Sequence, residues 1–197
     1  NSNADLNTLI TQLRNIYIHH YTQHWLTTIK KIQLTPPQNL ADLKDLVSLL
    51  ENKNSTLNQL LTIIIGNASL AEKTLQHNTI DNAVFSSIKA LTQQKKSFQA
   101  IKQSLTSLLT YINAVAEAPD PDKASYNLAV NRIQQRDQND AITHLLTLAK
   151  QSPQPIQNWL TTIGQGCWHV LLNQARNYLN TIWATTVLPE YNSHIKN

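Results

Sequence analysis

Leu179-Asn180-x-x-Trp183-x-x-x-Val187-x-x-x-Tyr191 is the stretch of sequence that decides the fold of this chain. The apolar and aromatic positions from Leu172 on recur at steps of three and four residues, which is the period of one face of a long helix. Aromatic side chains on such a face require a substantial neighbour to bury them. The stretch therefore predicts a long C-terminal helix whose apolar face packs against another part of a larger protein.

The rest of the chain follows the same helical pattern. Only 3 glycines occur in 197 residues, which leaves little material for hairpin turns, and no convincing two-residue alternation appears. We predict an all-α fold, an elongated bundle of about six to seven helices without a sheet. The predicted helices cover about 6–32, 40–50, 56–65, 81–116, 126–150 (one helix, or two with a break near 136–139) and the residues from 155 onward.

The first helix has a single apolar stripe, for which packing in the core is the default interpretation. The stripe consists of Leu9, Leu13, Ile16, Tyr17, Tyr21, Trp25 and Ile29. Because tryptophan and tyrosine are also the usual anchors of protein interfaces, an interaction surface is the alternative.

Composition argues against several classes of function. The chain is 41% hydrophobic and 14% charged, with a formal net charge of +4, but its lysines are scattered, so we expect no nucleic-acid partner. No apolar run approaches the roughly 18 residues that span a bilayer, so we expect membrane attachment only through segments outside this sequence. The single cysteine, Cys167, cannot form an internal disulfide and is predicted to be a buried structural thiol.

The sequence contains no convincing catalytic or metal-binding pattern. His20 and His24 are four residues apart and His19 lies beside them, but no nearby carboxylate or cysteine completes a ligand set. No nucleophile elbow or phosphate-binding loop is present. We therefore expect no enzymatic activity, no metal and no cofactor.

Two pairs of aspartates lie in turns, where turn formation and capping are their expected roles. These are Asp120 with Asp122 and Asp137 with Asp140.

Both ends of the chain resemble the IcmF/TssM family of inner-membrane proteins from type IV (Dot/Icm-like) and type VI secretion systems. Leu13-Arg14-x-x-Tyr17-x-x-x-Tyr21-x-x-x-Trp25 resembles the segment that opens the family's periplasmic helical region, and residues 40–61 resemble its leucine-rich helix pair. Pro155, Trp159-Leu160 and the stretch from 179 to 191 resemble its tail. The chain departs from the family at Thr56, where proline is common, and at His20, where aspartate is frequent.

The resemblance implies a structural, non-enzymatic role: a periplasmic helical segment that supports assembly and effector translocation in a secretion-system inner-membrane complex. It implies a DotU/TssL-type inner-membrane partner, bound through other regions of the parent protein, and contacts with other secretion-system subunits. In type VI systems these include an outer-membrane lipoprotein. A β-rich domain is expected to begin shortly after Asn197, and the composition favours the type IV branch. The alternatives are a helical fragment of an effector, or of a lipid- or nucleic-acid-binding scaffold.

We predict that Trp159, Trp183, Val187 and Tyr191 form a seam that fixes the following domain. Further interface candidates are Tyr17, Tyr21 and Trp25. Residues 1–4 are interpreted as a cloning scar. Residues 5–118 are predicted to form an N-terminal bundle and 119–197 a set of C-terminal helices, with one continuous domain over 5–197 as the alternative.

Overall fold

The computed structural model describes residues 2–51, 59–64, 95–136 and 140–194, together with residues 56, 66 and 90. Within this part of the chain the protein consists of helices and connections, without a strand, so the predicted all-α class is confirmed. The α-helices whose bounds the described residues define are α1 (Ser2–Lys31), α2 (Leu40–Glu51), α3 (Lys95–Ala116), α4 (Pro121–Ile133), α5 (Ala141–Gln151), α6 (Ile156–Ile182) and α7 (Leu188–His194). A π-helical turn over Trp183–Val187 joins α6 to α7, and residues 59–64 are also helical.

The helix boundaries agree with local sequence signals where they are described. The helix α1 ends shortly before Pro36 and Pro37, α2 has its predicted start, and α3 ends at its predicted end. The first part of the predicted helix over 81–116 and much of the one over 56–65 lie outside the described residues.

Two aspartates cap the N-termini of α4 and α5, the two helices that follow α3. The side chain of Asp120 accepts a hydrogen bond from the backbone N–H of Lys123 at 2.9 Å and so caps α4. Asp140 Oδ1 accepts from the N–H of Ile142 at 3.0 Å and caps α5. Of the two alternatives for residues 126–150, the structure has two helices, with the break at the predicted position. The first of them begins at Pro121, five residues before the predicted start, because Asp120 caps it there.

The core is one cluster of buried apolar side chains, and α6 crosses it in contact with α2, α4 and α5. Residues of both the predicted N-terminal bundle and the predicted set of C-terminal helices belong to this cluster, while the domain boundary itself stays a prediction. Representative members are Ile29, Leu43, Val47, Leu105, Leu108, Ile112, Leu145, Leu160, Ile163, Cys167 and Leu171. Cys167 is fully buried, as predicted.

The connection between α1 and α2 lies directly against α6. The indole Nε1 of Trp159 donates a hydrogen bond to the backbone carbonyl of Ile32 at 2.9 Å. Farther along α6, a Cβ at Gly166 would lie 2.6 Å from Cδ of Pro37, so only glycine admits this approach without a shift. These two contacts hold the segment over 32–39 against α6.

The core interpretation of the first-helix stripe is wrong for its N-terminal half. Tyr17 is 68% exposed, and the other exposed members are Leu9, Leu13 and Ile16. The buried face of α1 instead contains Ile18, Thr22 and Ile29. This face lies about 100° around the helix from Tyr17, because consecutive residues of an α-helix point about 100° apart. Periodicity showed that a stripe exists but not which face a neighbour would cover.

Candidate functional site

An exposed apolar face runs along the second half of the continuous helical rod that α6, the π turn and α7 form over residues 156–194. We call it the C-stripe, and it consists of Leu172, Leu179, Trp183, Val187 and Tyr191. Trp183 is 60% exposed and Tyr191 50% exposed. Large aromatic side chains left in water in a row mark a surface suited to binding another protein.

The π-helical turn brings the C-stripe into line. In an α-helix each step of four residues advances the direction of the side chain by about 40°, so Tyr191 would point about 80° away from Trp183. In a π-helical turn the hydrogen bonds join residues five apart, and one turn contains roughly 4.4 residues. A four-residue step through such a turn therefore falls about 33° short of a full rotation. In this ideal geometry the two deviations largely cancel, which places all five members of the C-stripe within about 25° of one direction.

Pro189 provides a physical reason for the π turn. In a regular α-helix its ring would collide with the carbonyl of the residue four positions earlier, Thr185. The chain widens instead, and the N–H of Leu188 bonds to the carbonyl of Trp183, five residues back. Thr185 Oγ1 donates to the carbonyl of Thr181 at 2.8 Å, which gives that oxygen a side-chain donor. Sequence analysis missed this turn, although a proline late in a helical pattern is its signal.

The structure separates the residues predicted to form one seam. Trp159 is only 4% exposed and belongs to the core. It lies 24 residues before Trp183, about 36 Å along the rod at 1.5 Å per residue. Trp183, Val187 and Tyr191 share the C-stripe, whereas Trp159 anchors the connection after α1. The role of these residues as interface anchors stays a prediction.

The three aromatic candidates of the first helix form a ladder on α1. The rings of Tyr17 and Tyr21 stack with centroids 6.1 Å apart, and those of Tyr21 and Trp25 are 6.4 Å apart. Tyr17 is exposed, while Tyr21 and Trp25 are half-buried. The ladder therefore passes from water towards the core, and its outer end is the part accessible to a partner.

Sequence analysis also missed a buried charge cluster where α4, α5 and α6 meet. The guanidinium of Arg132 pairs with Asp140 Oδ2, which also accepts from Thr143 Oγ1 at 2.5 Å. The same guanidinium lies 4.9 Å from the ring centroid of Trp168. Burial lowers the pKa of Arg132, partly offset by Tyr111 and Cys167. Both oxygens of the Asp140 carboxylate have hydrogen-bond partners. We therefore interpret the cluster as an ion pair with a structural role.

The described residues hold no assembled chemical site. Burial raises the pKa of the Cys167 thiol to about 12, so the thiol is protonated and unreactive at neutral pH. The rings of His19 and His20 lie 6.0 Å apart on the exposed face of α1. Among the described residues no group of three potential metal ligands occurs. None of their helices is long and apolar enough to cross a membrane.

Comparison with known proteins tests the family resemblance. Residues 1–69 match the family model described as IcmF-related, Intracellular multiplication and human macrophage-killing. The predicted IcmF resemblance is confirmed. The match covers the segment that contains α1, its aromatic ladder and α2.

The fold of the chain is also similar to that of a solved structure titled "Type VI secretion system membrane core complex". The TM-score is 0.72 at 20% sequence identity, and the match covers 96% of this chain and 41% of that chain. The present sequence thus spans less than half the length of that relative. No curated protein sequence matches the chain.

Proposed function

We propose that this chain is a structural, scaffolding component of a bacterial secretion-system inner-membrane complex, in which it forms a periplasmic helical segment. In this role it supports assembly of the complex and translocation of effectors. The IcmF-related match and the fold similarity favour a secretion-system component. The observation that carries the proposal is the aligned, exposed C-stripe at the end of a rod anchored in the core.

The mechanism is mechanical. Residues 156–194 are helical throughout, which corresponds to a rod of about 58 Å at 1.5 Å per residue. The first half of the rod is buried among α2, α4 and α5, so its direction is fixed by the core. The second half presents the C-stripe to a neighbour, whose position relative to the core is thereby determined.

The C-stripe has the composition of an interface centre. Trp183 and Tyr191 provide large apolar surfaces with few rotatable bonds, and such residues dominate binding energies at protein interfaces. We infer that the C-stripe docks a β-rich domain that follows in the parent protein or an adjoining secretion-system subunit. A DotU/TssL-type protein is the inferred partner at the inner membrane, bound by other regions of the parent.

The proposal is tested by Trp183→Ala and Tyr191→Ala in the parent protein, with Asn177→Ala as a matched control. Asn177 is exposed on the same rod but lies off the C-stripe. We expect both aromatic variants to reduce recovery of the assembled membrane complex and secretion, and the control to preserve both.

Melting temperatures of the 197-residue chain complete the test. Because Trp183 is exposed, its loss should change stability by no more than about 0.5 kcal/mol, whereas a core tryptophan would cost about 3–5 kcal/mol. Normal assembly and secretion in both aromatic variants would refute the docking role of the C-stripe.

A further inference from the structure

A cleft of about 630 Å³ lies where the end of α1 and the segment after it meet the start of α6. This volume falls within the range of small-molecule sites. Its wall is mainly apolar and includes Leu26, Ile29, Ile32, Leu34, Pro155 and Trp159. The hydrogen bond from Trp159 Nε1 to the Ile32 carbonyl joins the two sides of the cleft.

The charge of the cleft has one sign. Lys30 is the single charged residue among the described residues that line it, and no acidic side chain faces it there. The neighbouring Lys31 is exposed and does not line the cleft. A ligand that fills the cleft thus meets apolar surface along its body and a positive charge at one place.

The polar rim adds a hydrogen-bond donor. Gln154 Nε2 donates to Asn158 Oδ1 at 3.1 Å and to Gln157 Oε1 at 3.2 Å. Since its oxygen accepts that bond, Asn158 can offer its Nδ2 amino group to an anion at the rim. An extended peptide is disfavoured as the occupant, because its backbone needs hydrogen bonds that an apolar wall does not supply.

We propose that this cleft binds an aliphatic carboxylate, a fatty-acid-like ligand whose chain lies against Trp159 and Pro155 and whose carboxylate pairs with Lys30. The apolar wall removes the chain from water, and the ammonium group of Lys30 with the Asn158 amide orients the carboxylate. The ligand is therefore selected by two features at once, an aliphatic body and a negative head.

The test uses the indole N–H signals of the ¹⁵N-labelled 197-residue chain. Decanoate is the probe, and decyltrimethylammonium, which has the same chain length and the opposite charge, is its counterpart. We expect decanoate to shift the Trp159 signal saturably and the cation to bind at least about fivefold more weakly. Because the C-stripe can attract any amphiphile, the Trp183 signal serves as the internal control.

Variants localise the binding. Lys30→Gln should weaken decanoate binding about three- to tenfold, the range of a partly desolvated ion pair. Lys31→Gln, its matched control, should change binding less than about twofold, because exposed charges outside a site contribute little. Asn158→Trp covers the cleft from an exposed position and should abolish the Trp159 shift.

Four results would overturn the proposal. They are a shift confined to Trp183, equal binding of the two probes, equal effects of Lys30→Gln and Lys31→Gln, and undiminished binding to Asn158→Trp. Both lysines are exposed, so neither substitution compromises the core.

Discussion

The buried carboxylate of Asp140 combines two structural roles. Its Oδ1 caps α5, and its Oδ2 accepts from Arg132 and Thr143. The guanidinium that it holds lies over the ring of Trp168. Removing one partner of such a pair leaves an uncompensated charge in a poorly solvated place, which is more costly than losing an exposed pair.

Substitutions at Asp140 can separate the contribution of its ion pair with Arg132 to stability from the contribution of its N-cap. Asp140→Asn retains a capping oxygen and should destabilise the protein by about 2–3 kcal/mol through Arg132 alone. Asp140→Ala should cost about 1 kcal/mol more, the usual loss of an N-cap. Urea unfolding measures both, with Asp120→Asn at an exposed cap as the control. If Asp140→Asn costs no more than this control, the pair with Arg132 contributes nothing.

The buried thiol of Cys167 makes stability depend on alkaline pH. Its pKa is raised to about 12 in the folded chain, against about 8.5 when unfolded. Its contribution is fully present below the unfolded pKa. Above that pKa the unfolded thiol ionises while the folded one does not, so stability falls by up to about 1.4 kcal/mol per pH unit until the folded pKa is reached.

Comparison with Cys167→Ala isolates this effect, because other titrating groups are shared by the two proteins. The stability advantage of the native chain over the variant should shrink by about 2 kcal/mol between pH 7 and pH 10. Denaturant unfolding at a series of pH values measures the difference. A difference that stays constant over this range would show that the thiol ionises equally in both states.

At the scale of elements, the π turn between α6 and α7 determines the direction of the last two C-stripe residues. A regular helix would rotate Tyr191 out of line with Trp183 by about 80°. Pro189 makes the regular form unfavourable, and the wider turn removes the collision. Pro189 thus influences the direction in which Tyr191 points, and with it the alignment of the C-stripe.

Pro189→Ala tests this relation. The variant regains a backbone N–H and should relax towards a regular α-helix, with a gain of about 1–2 kcal/mol in stability. It should also weaken any association that depends on Tyr191, since that side chain rotates away. Thermal unfolding and recovery of the membrane complex measure the two effects. Pro119→Ala, in the turn before α4, is the control and should change stability by less than about 1 kcal/mol.

If Pro189→Ala destabilises the chain, or leaves the π turn in place in an NMR hydrogen-bond analysis, proline does not cause the turn. A stabilised variant with normal assembly would instead show that the alignment of Tyr191 is unimportant.

At the scale of the whole molecule, the segment between α1 and α2 connects the first helix to the core. Its two fixed points are the Trp159–Ile32 hydrogen bond and the contact of Pro37 with Gly166. Both lie on α6, so the same helix that presents the C-stripe also holds the end of α1. The cleft proposed to bind a carboxylate lies beside the first of these contacts.

Gly166→Ala tests the close approach. A Cβ there would lie 2.6 Å and 2.9 Å from the ring atoms of Pro37, and the overlap should outweigh the helix propensity of alanine, for a net loss of about 1–2 kcal/mol. Gly66→Ala is the matched control, because a Cβ at Gly66 meets nothing within 4 Å. This control substitution should stabilise the protein by about 0.5–1 kcal/mol, the difference in helix propensity between glycine and alanine. Equal effects of the two substitutions in denaturant unfolding would contradict the role of Gly166.

The amino-acid sequence by itself determined the helical class and most of the described helix boundaries. Glycine scarcity and three-to-four periodicity exclude a sheet, and prolines and capping aspartates such as Asp120 and Asp140 act within a few residues of their own position. The aromatic spacing around Tyr17 and Trp183 was also sufficient to indicate the IcmF resemblance. Such signals are local, so a single sequence reveals them.

Only the tertiary structure decided which faces are covered. Tyr17 and Ile18 are neighbours in sequence, yet one is exposed and the other buried, because burial depends on where another helix lies. Trp159 and Trp183 looked like parts of one seam, but the core encloses the first and leaves the second in water. The Arg132–Asp140 pair and the contact of Pro37 with Gly166 join residues distant along the chain or across a helix break. Periodicity defines a stripe on each helix, whereas packing chooses the partner that covers it.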